Sequence, residues 1–150
     1  MPEQEKSAGV VVFRREGKDI LFLLLFKKYK SEYYDLIKGH YEKGEDALDA
    51  ARREAKEEAG IDDLHFIPGF EENIQWWYRF EGKLTRKTVT YYLAETRTKD
   101  VKISFEHIRP GWFTIGEAEK VIKHKETKAL LRKAYGFIVK REKEGLTRFL

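Results

Sequence analysis

GHYEKGEDALDAARREAKEEAGI, residues 39–61, is the stretch from which the rest of the chain can be read. From Asp46 to Ala59 it is built mostly of Ala, Leu, Arg, Lys and Glu, which favour helix, and Gly60 supplies a natural C-terminal stop. A helix over 46–59 is expected. Its Glu54, Glu57 and Glu58 then project from neighbouring positions on one side. Glu54 and Glu58 are a like-charge i,i+4 pair, which destabilises an isolated helix by about 0.2–0.5 kcal/mol. A bound cation reverses that sign. Oxygen donors clustered without cysteine favour Mg²⁺ or Mn²⁺, ions bound through a few carboxylates together with waters and substrate phosphates. Leu48, Ala51, Ala55 and Ala59 recur at spacings of three and four, a stripe of mostly small residues that lets the helix lie close to a sheet. Arg53 stands four residues from both Asp49 and Glu57, placed to orient the acidic cluster through directed hydrogen bonds.

On the N-terminal side, AGVVVFRR (8–15) and DILFLLLFKK (19–28) are apolar runs joined by Glu16-Gly17-Lys18, the pattern of a hairpin of buried strands. A loop from Lys30 to Tyr34 leads to LIKGH (36–40). Beyond the helix, NIQWWYRF (73–80) and KTVTYYLAE (87–95) flank Glu81-Gly82-Lys83 and predict a second hairpin. In a strand, Trp76 and Tyr78 share one face and Trp77 takes the other. VKIS (101–104) and GWFT (111–114) are shorter strand candidates. Thr114 and Glu117 have capping-box spacing, so a short helix opens there. A longer helix follows, with Leu130, Leu131, Ala134, Tyr135 and Ile138 on a core-facing stripe. With no repeat, low-complexity tract or linker, residues 1–150 read as one α/β domain, a curved mixed sheet between helices, with residues 1–6 a flexible start.

Bulk properties exclude several classes. No window approaches the roughly eighteen apolar residues that a membrane span requires. With 30 basic and 26 acidic residues, the net charge of +4 is no polybasic footprint, so bulk nucleic-acid binding is not indicated. The chain has no cysteine, and MPEQEKSAGV lacks the order of a secretory signal, so a cytoplasmic setting is expected. Oligomeric state is not readable.

Within residues 39–61, Gly39, Glu45, Arg53, Glu54, Glu57, Glu58 and Gly60 fall at the spacing Gly-x5-Glu-x7-Arg-Glu-U-x-Glu-Glu-x-Gly-U, with Ala55 and Ile61 in the apolar U slots. This resembles the full Nudix box of a family of metal-dependent hydrolases. By average residue usage the pattern arises by chance on the order of once per billion start positions. A surface helix of solvated ion pairs is the alternative for the charge run alone. The resemblance implies a Nudix-type α/β/α sandwich that cleaves a nucleoside diphosphate linked to another group. It implies metal ligation by Glu54, Glu57 and Glu58, with Lys38 as a backbone-carbonyl donor. Glu54 is the first choice of base and Glu106, from a distant loop, the second and a further metal ligand.

Outside the box the chain is similar to the asymmetrical diadenosine-tetraphosphate hydrolases. The likeness runs through AGVVVFRR, FLLL, KGHYEKGEDAL, EEAGI, Gly69-Phe70, KTVTYYLAE, Glu106-His107, Trp112 and KETKALL. It implies a dinucleoside polyphosphate substrate split off-centre, diadenosine tetraphosphate giving ATP and AMP. Lys38 and Lys87 match phosphate-touching lysines, and Trp76, Tyr34 (or Tyr33) and His124 are candidates for the purine pocket. Two departures stand out: Leu36-Ile37 replace two prolines, and Trp76 stands where tyrosine is common. Another Nudix substrate (a nucleoside triphosphate, a nucleotide sugar, a diphosphoinositol phosphate or an RNA 5′ end) and a non-catalytic nucleotide-binding module are the alternatives.

Overall fold

The computed structural model describes residues 3–28, 31–103 and 108–149, of which 3, 4, 108 and 146–149 are described by backbone alone. Its elements are β1 (Glu3–Glu16), β2 (Asp19–Lys28), β3 (Glu32–Asp35), β4 (Ile37–His40), α1 (Ala47–Ala59), β5 (His65–Phe80), β6 (Lys83–Glu95), β7 (Ile108–Phe113), α2 (Ile115–Val121) and α3 (Lys125–Phe149). Both expected hairpins form, and seven strands make one mixed sheet of order β3-β2-β1-β6-β5, with β4 paired to β1 and β7 to β2. β1 and β6 run parallel; the other pairs are antiparallel.

Period-two alternation in β1 and β2 explains the layers. Val11, Phe13, Ile20, Phe22 and Leu24 point to one side, against Ala118 and Ile122 at α2 and Leu130, Leu131, Ala134 and Ile138 of α3. Ala8, Val10, Val12, Leu23 and Leu25 point to the other, against Ala50, Ala51, Ala55 and Ala59 of α1. Burying each large apolar side chain stabilises by about 1.5–3 kcal/mol, and an unbroken run such as LFLLL in β2 suits a strand covered on both faces. The result is the expected α/β/α sandwich.

α1 is held at both ends. Asp46 accepts from the Asp49 amide at 2.8 Å, and the Asp49 carboxylate reaches back to the Asp46 amide. Gly60 adopts the left-handed conformation (φ 64°) that caps the helix. The Thr114–Glu117 capping box also forms.

Several expectations are corrected. Residues 3–6 are not a loose start, because they pair with Thr85–Thr88 of β6. Part of the predicted 30–34 loop is β3, which pairs with the end of β2. Residues 101–103 of VKIS are not in a strand: the Lys102 amide bonds to Ala59 O at the end of α1, at 3.2 Å, instead of to the sheet. Leu48 is exposed, and the buried face of α1 is Ala50, Ala51, Ala55, Glu58 and Ala59. Tyr135 is exposed as well; Phe137 packs instead, edge-on to Phe70 at 5.5 Å. Leu36 and Ile37 are fully enclosed, and Ile37 aligns with Val10 in the β1–β4 ladder.

Candidate active site

The box helix and β4 meet at Gly39. A Cβ built on this glycine would lie 2.1 Å from the Glu54 carboxyl carbon, so only glycine lets that carboxylate rest against the β4 backbone. Gly39 therefore acts as a geometric seat for Glu54.

Arg53 ties the loop between β4 and α1 to the helix. Its guanidinium donates to both Glu45 oxygens (2.8 and 3.0 Å), to Glu54 Oε1 and Glu57 Oε2 (both 2.9 Å), and to the His40 carbonyl (2.8 Å). Hydrogen bonding to Glu45 outweighs burial and holds this cation above its ordinary pKa; the same bonds hold Glu45 below the usual carboxylate range. The expected Arg53–Asp49 pair is absent from these hydrogen bonds, because Asp49 serves the N-cap.

The three glutamates differ in environment. Glu57 is half-exposed, its side chain 52% accessible, whereas those of Glu54 and Glu58 are 14% and 12%. Burial pushes the Glu58 carboxyl up to about 7 against the pull of Lys27, with Glu54 and Asp35 adding to the rise. Glu58 Oε2 is buried without a hydrogen-bond partner, and Lys27 Nζ lies 3.8 Å from it.

Among the described residues no three acidic or imidazole groups converge as a ready-made metal cage. Glu54 and Glu57 turn toward Arg53, and Glu58 faces Lys27. The residues nonetheless fit a hard divalent cation: an unpartnered buried carboxylate oxygen stands beside a second carboxylate seated on Gly39, and the donors are all oxygen.

A cleft of about 370 Å³ lies alongside, lined by Tyr33, Asp35, Lys38, Trp76, Lys87, His124, Glu126 and Thr127. Four of the five residues expected to bind substrate meet there: Lys38, Lys87, Trp76 and His124. Lys38 lies within the cleft, 3.0 Å from Asp35 and 5.3 Å from the Trp76 ring centroid, and Asp35 in turn acts electrostatically on Glu58. Lys87 lies 3.6 Å from Glu5, which also takes the Tyr78 hydroxyl and His40. Tyr34 is not in the lining: strand alternation turns it to the core, against Phe26 and Phe113, and Tyr33 faces the cleft instead. Trp77 lies on the opposite face from Trp76, half-exposed beside Arg86. Glu106 and His107 lie outside the described residues.

Sequence reasoning passed over Lys27 and Asp35, both buried charges. The signal was available for Lys27, which shares strand parity with Leu23 and Leu25.

Similarity to known proteins identifies the family. The NUDIX domain family matches residues 3–134. A Caenorhabditis elegans bis(5′-nucleosyl)-tetraphosphatase [asymmetrical] is 36% identical over 134 residues, covering 89% of this chain and 96% of that protein. The Sus scrofa protein of the same name is 34% identical over 145 residues, covering 89% and 95%. The crystal structure of a C. elegans Ap4A hydrolase binary complex superposes with a TM-score of 0.79 at 36% identity, covering 90% of this chain and 98% of that one. With the box, the sandwich and these relatives in agreement, the chain belongs to the NUDIX domain family.

Proposed function

We propose that this chain hydrolyses dinucleoside polyphosphates asymmetrically, taking diadenosine tetraphosphate to ATP and AMP with the help of Mg²⁺ or Mn²⁺. The observation that carries the reading is the cleft: lysines and aromatic rings line one pocket, and Lys38 and Asp35 connect it to the α1 carboxylates. Near-full-length similarity to tetraphosphatases supports this substrate class over other phosphoanhydrides. With no cysteine in the chain, we assign the activity to the cytoplasm; among the described residues no helix is long and apolar enough to cross a membrane.

Glu54, Glu57 and Glu58, with the Lys38 carbonyl, would hold the metal, which supplies Lewis acidity and lowers the pKa of water. Arg53 fixes Glu54 by a hydrogen bond, so the carboxylate meant to accept the water's proton has a defined position. Glu106 is the second candidate for that proton and for the metal. Lys38 and Lys87, both lining the cleft, would supply cations to the phosphate oxygens. Trp76 and Tyr33 offer faces on which a purine can stack, with His124 nearby to hydrogen-bond.

The test is a panel of phosphoanhydrides incubated with Mg²⁺ and with Mn²⁺, products resolved by chromatography, and Glu58→Gln run in parallel. Equal yields of ATP and AMP from diadenosine tetraphosphate are expected, with slow turnover of plain triphosphates. The variant should lose on the order of 100-fold or more in rate while staying folded. Inorganic pyrophosphate released rapidly from a triphosphate would overturn the substrate assignment.

A further inference from the structure

We propose that the Lys27 ammonium competes with the divalent cation for Glu58, so that metal is held weakly until a polyphosphate brings further oxygen ligands. Lys27 sits near the end of β2 with its side chain only 9% exposed and its Nζ 3.8 Å from Glu58 Oε2. The next residue, Lys28, carries its charge to the surface, 59% exposed. Lys27 follows Leu23 and Leu25 onto the face covered by α1, where the carboxylate awaits it.

Asp35, aligned with Leu25 across β2–β3, is the other buried carboxylate among the described residues. It is committed elsewhere, accepting from the Leu36 amide at 2.8 Å and pairing with Lys38 at 3.0 Å. Glu58 Oε2 has no hydrogen bond and is the oxygen within ion-pair reach of Lys27. Two cations at one carboxylate repel strongly in an enclosed site, so the ammonium and the metal exclude each other there. Mg²⁺ characteristically completes its shell with substrate phosphate when the protein offers few carboxylates. An ammonium resident at Glu58 biases the free enzyme toward that mode and leaves the metal to arrive with the polyphosphate.

This inference rests on the reading that Glu58 holds metal. The test is calorimetric titration with Mg²⁺, without nucleotide and at alkaline pH, where protons compete least for the carboxylates, on the native chain and on K27M, K27R and E58Q. K27M is expected to bind Mg²⁺ at least about tenfold more tightly or to take up one more ion, and K27R, which keeps the charge, to stay within about threefold of native. Unchanged or weaker binding by K27M overturns the proposal, as does K27R behaving like K27M, which would make size rather than charge the cause. A K27M whose only change is a raised KM for the dinucleotide also overturns it, identifying Lys27 as a phosphate contact. E58Q that binds Mg²⁺ like the native chain would instead overturn the metal reading of Glu58. If K27M fails to fold, K27Q takes its place with the same outcomes.

Discussion

Replacing Gly39 by alanine should separate catalysis from folding. The new Cβ would lie 2.1 Å from the Glu54 carboxyl carbon and from Oε1, and 2.6 Å from Oε2, against about 3.4 Å for ordinary van der Waals contact. The carboxylate must therefore retreat by about 1.3 Å. It is the far end of a flexible side chain, so the backbone can stay in place. Its 2.9 Å hydrogen bond from Arg53 is then stretched or broken, and the oxygen leaves its position beside Glu58. A misplacement of about 1 Å in a catalytic group reduces rate on the order of 100-fold. Stability should change little, since removing a glycine from a strand recovers about 0.5–1 kcal/mol of backbone entropy, offsetting the displaced contact. Steady-state hydrolysis of diadenosine tetraphosphate, followed by product chromatography beside thermal melts, provides the assay. A Gly39→Ala enzyme within about threefold of native activity would refute the argument that this glycine seats Glu54.

Other outcomes follow from the same geometry. Arg53→Lys loses the fork that grips both Glu45 oxygens and the His40 carbonyl, so kcat should fall by about tenfold or more with KM little changed; native kinetics would contradict this. The Glu58 carboxyl titrates near 7 when folded, above its ordinary 4.5, so its contribution to stability is present at acid pH and is lost as pH rises through that range. In chelator, the melting temperature of the native chain relative to Glu58→Gln should accordingly fall between about pH 5 and 8, and a flat difference would remove the assigned shift. Asp63 accepts from Thr96, Thr98 and the Arg97 amide, tying the segment after α1 to the end of β6. Asp63→Asn should lose about 1–3 kcal/mol in denaturant unfolding with active-site kinetics intact; unaltered stability would count against that tie.

The elements legible in the sequence are those specified locally. Gly17 and the Glu81-Gly82 pair mark hairpin turns whatever the rest of the chain does, and Asp46, Gly60, Thr114 and Glu117 signal helix ends through contacts within one turn. Spacing on a helix gave the neighbouring positions of Glu54, Glu57 and Glu58, whereas their separate partners, Arg53 for the first two and Lys27 for the third, come from other packing. What was missed depends on long-range packing. Lys102 gives its amide to α1, and nothing in VKIS announces that partner. Tyr33 and Tyr34 are chemically equivalent candidates until the β2–β3 register decides which faces the cleft. Asp49 could serve Arg53 or the N-cap, and the competing acceptor Glu45 settles that choice only once the loop has closed onto α1. Asp35 and Lys27 are ordinary charged residues at strand ends until β2, β3 and α1 enclose them.

Carboxylates on successive turns of α1 are proposed above to bind a divalent cation facing the cleft. Crystals soaked with Mn²⁺ and a non-hydrolysable dinucleotide analogue test it most directly. Anomalous density within coordination distance of Glu54 and Glu58, with the polyphosphate reaching it past Lys38, is the predicted result. Ordered analogue with no ion beside Glu54, Glu57 or Glu58 would contradict metal binding by α1.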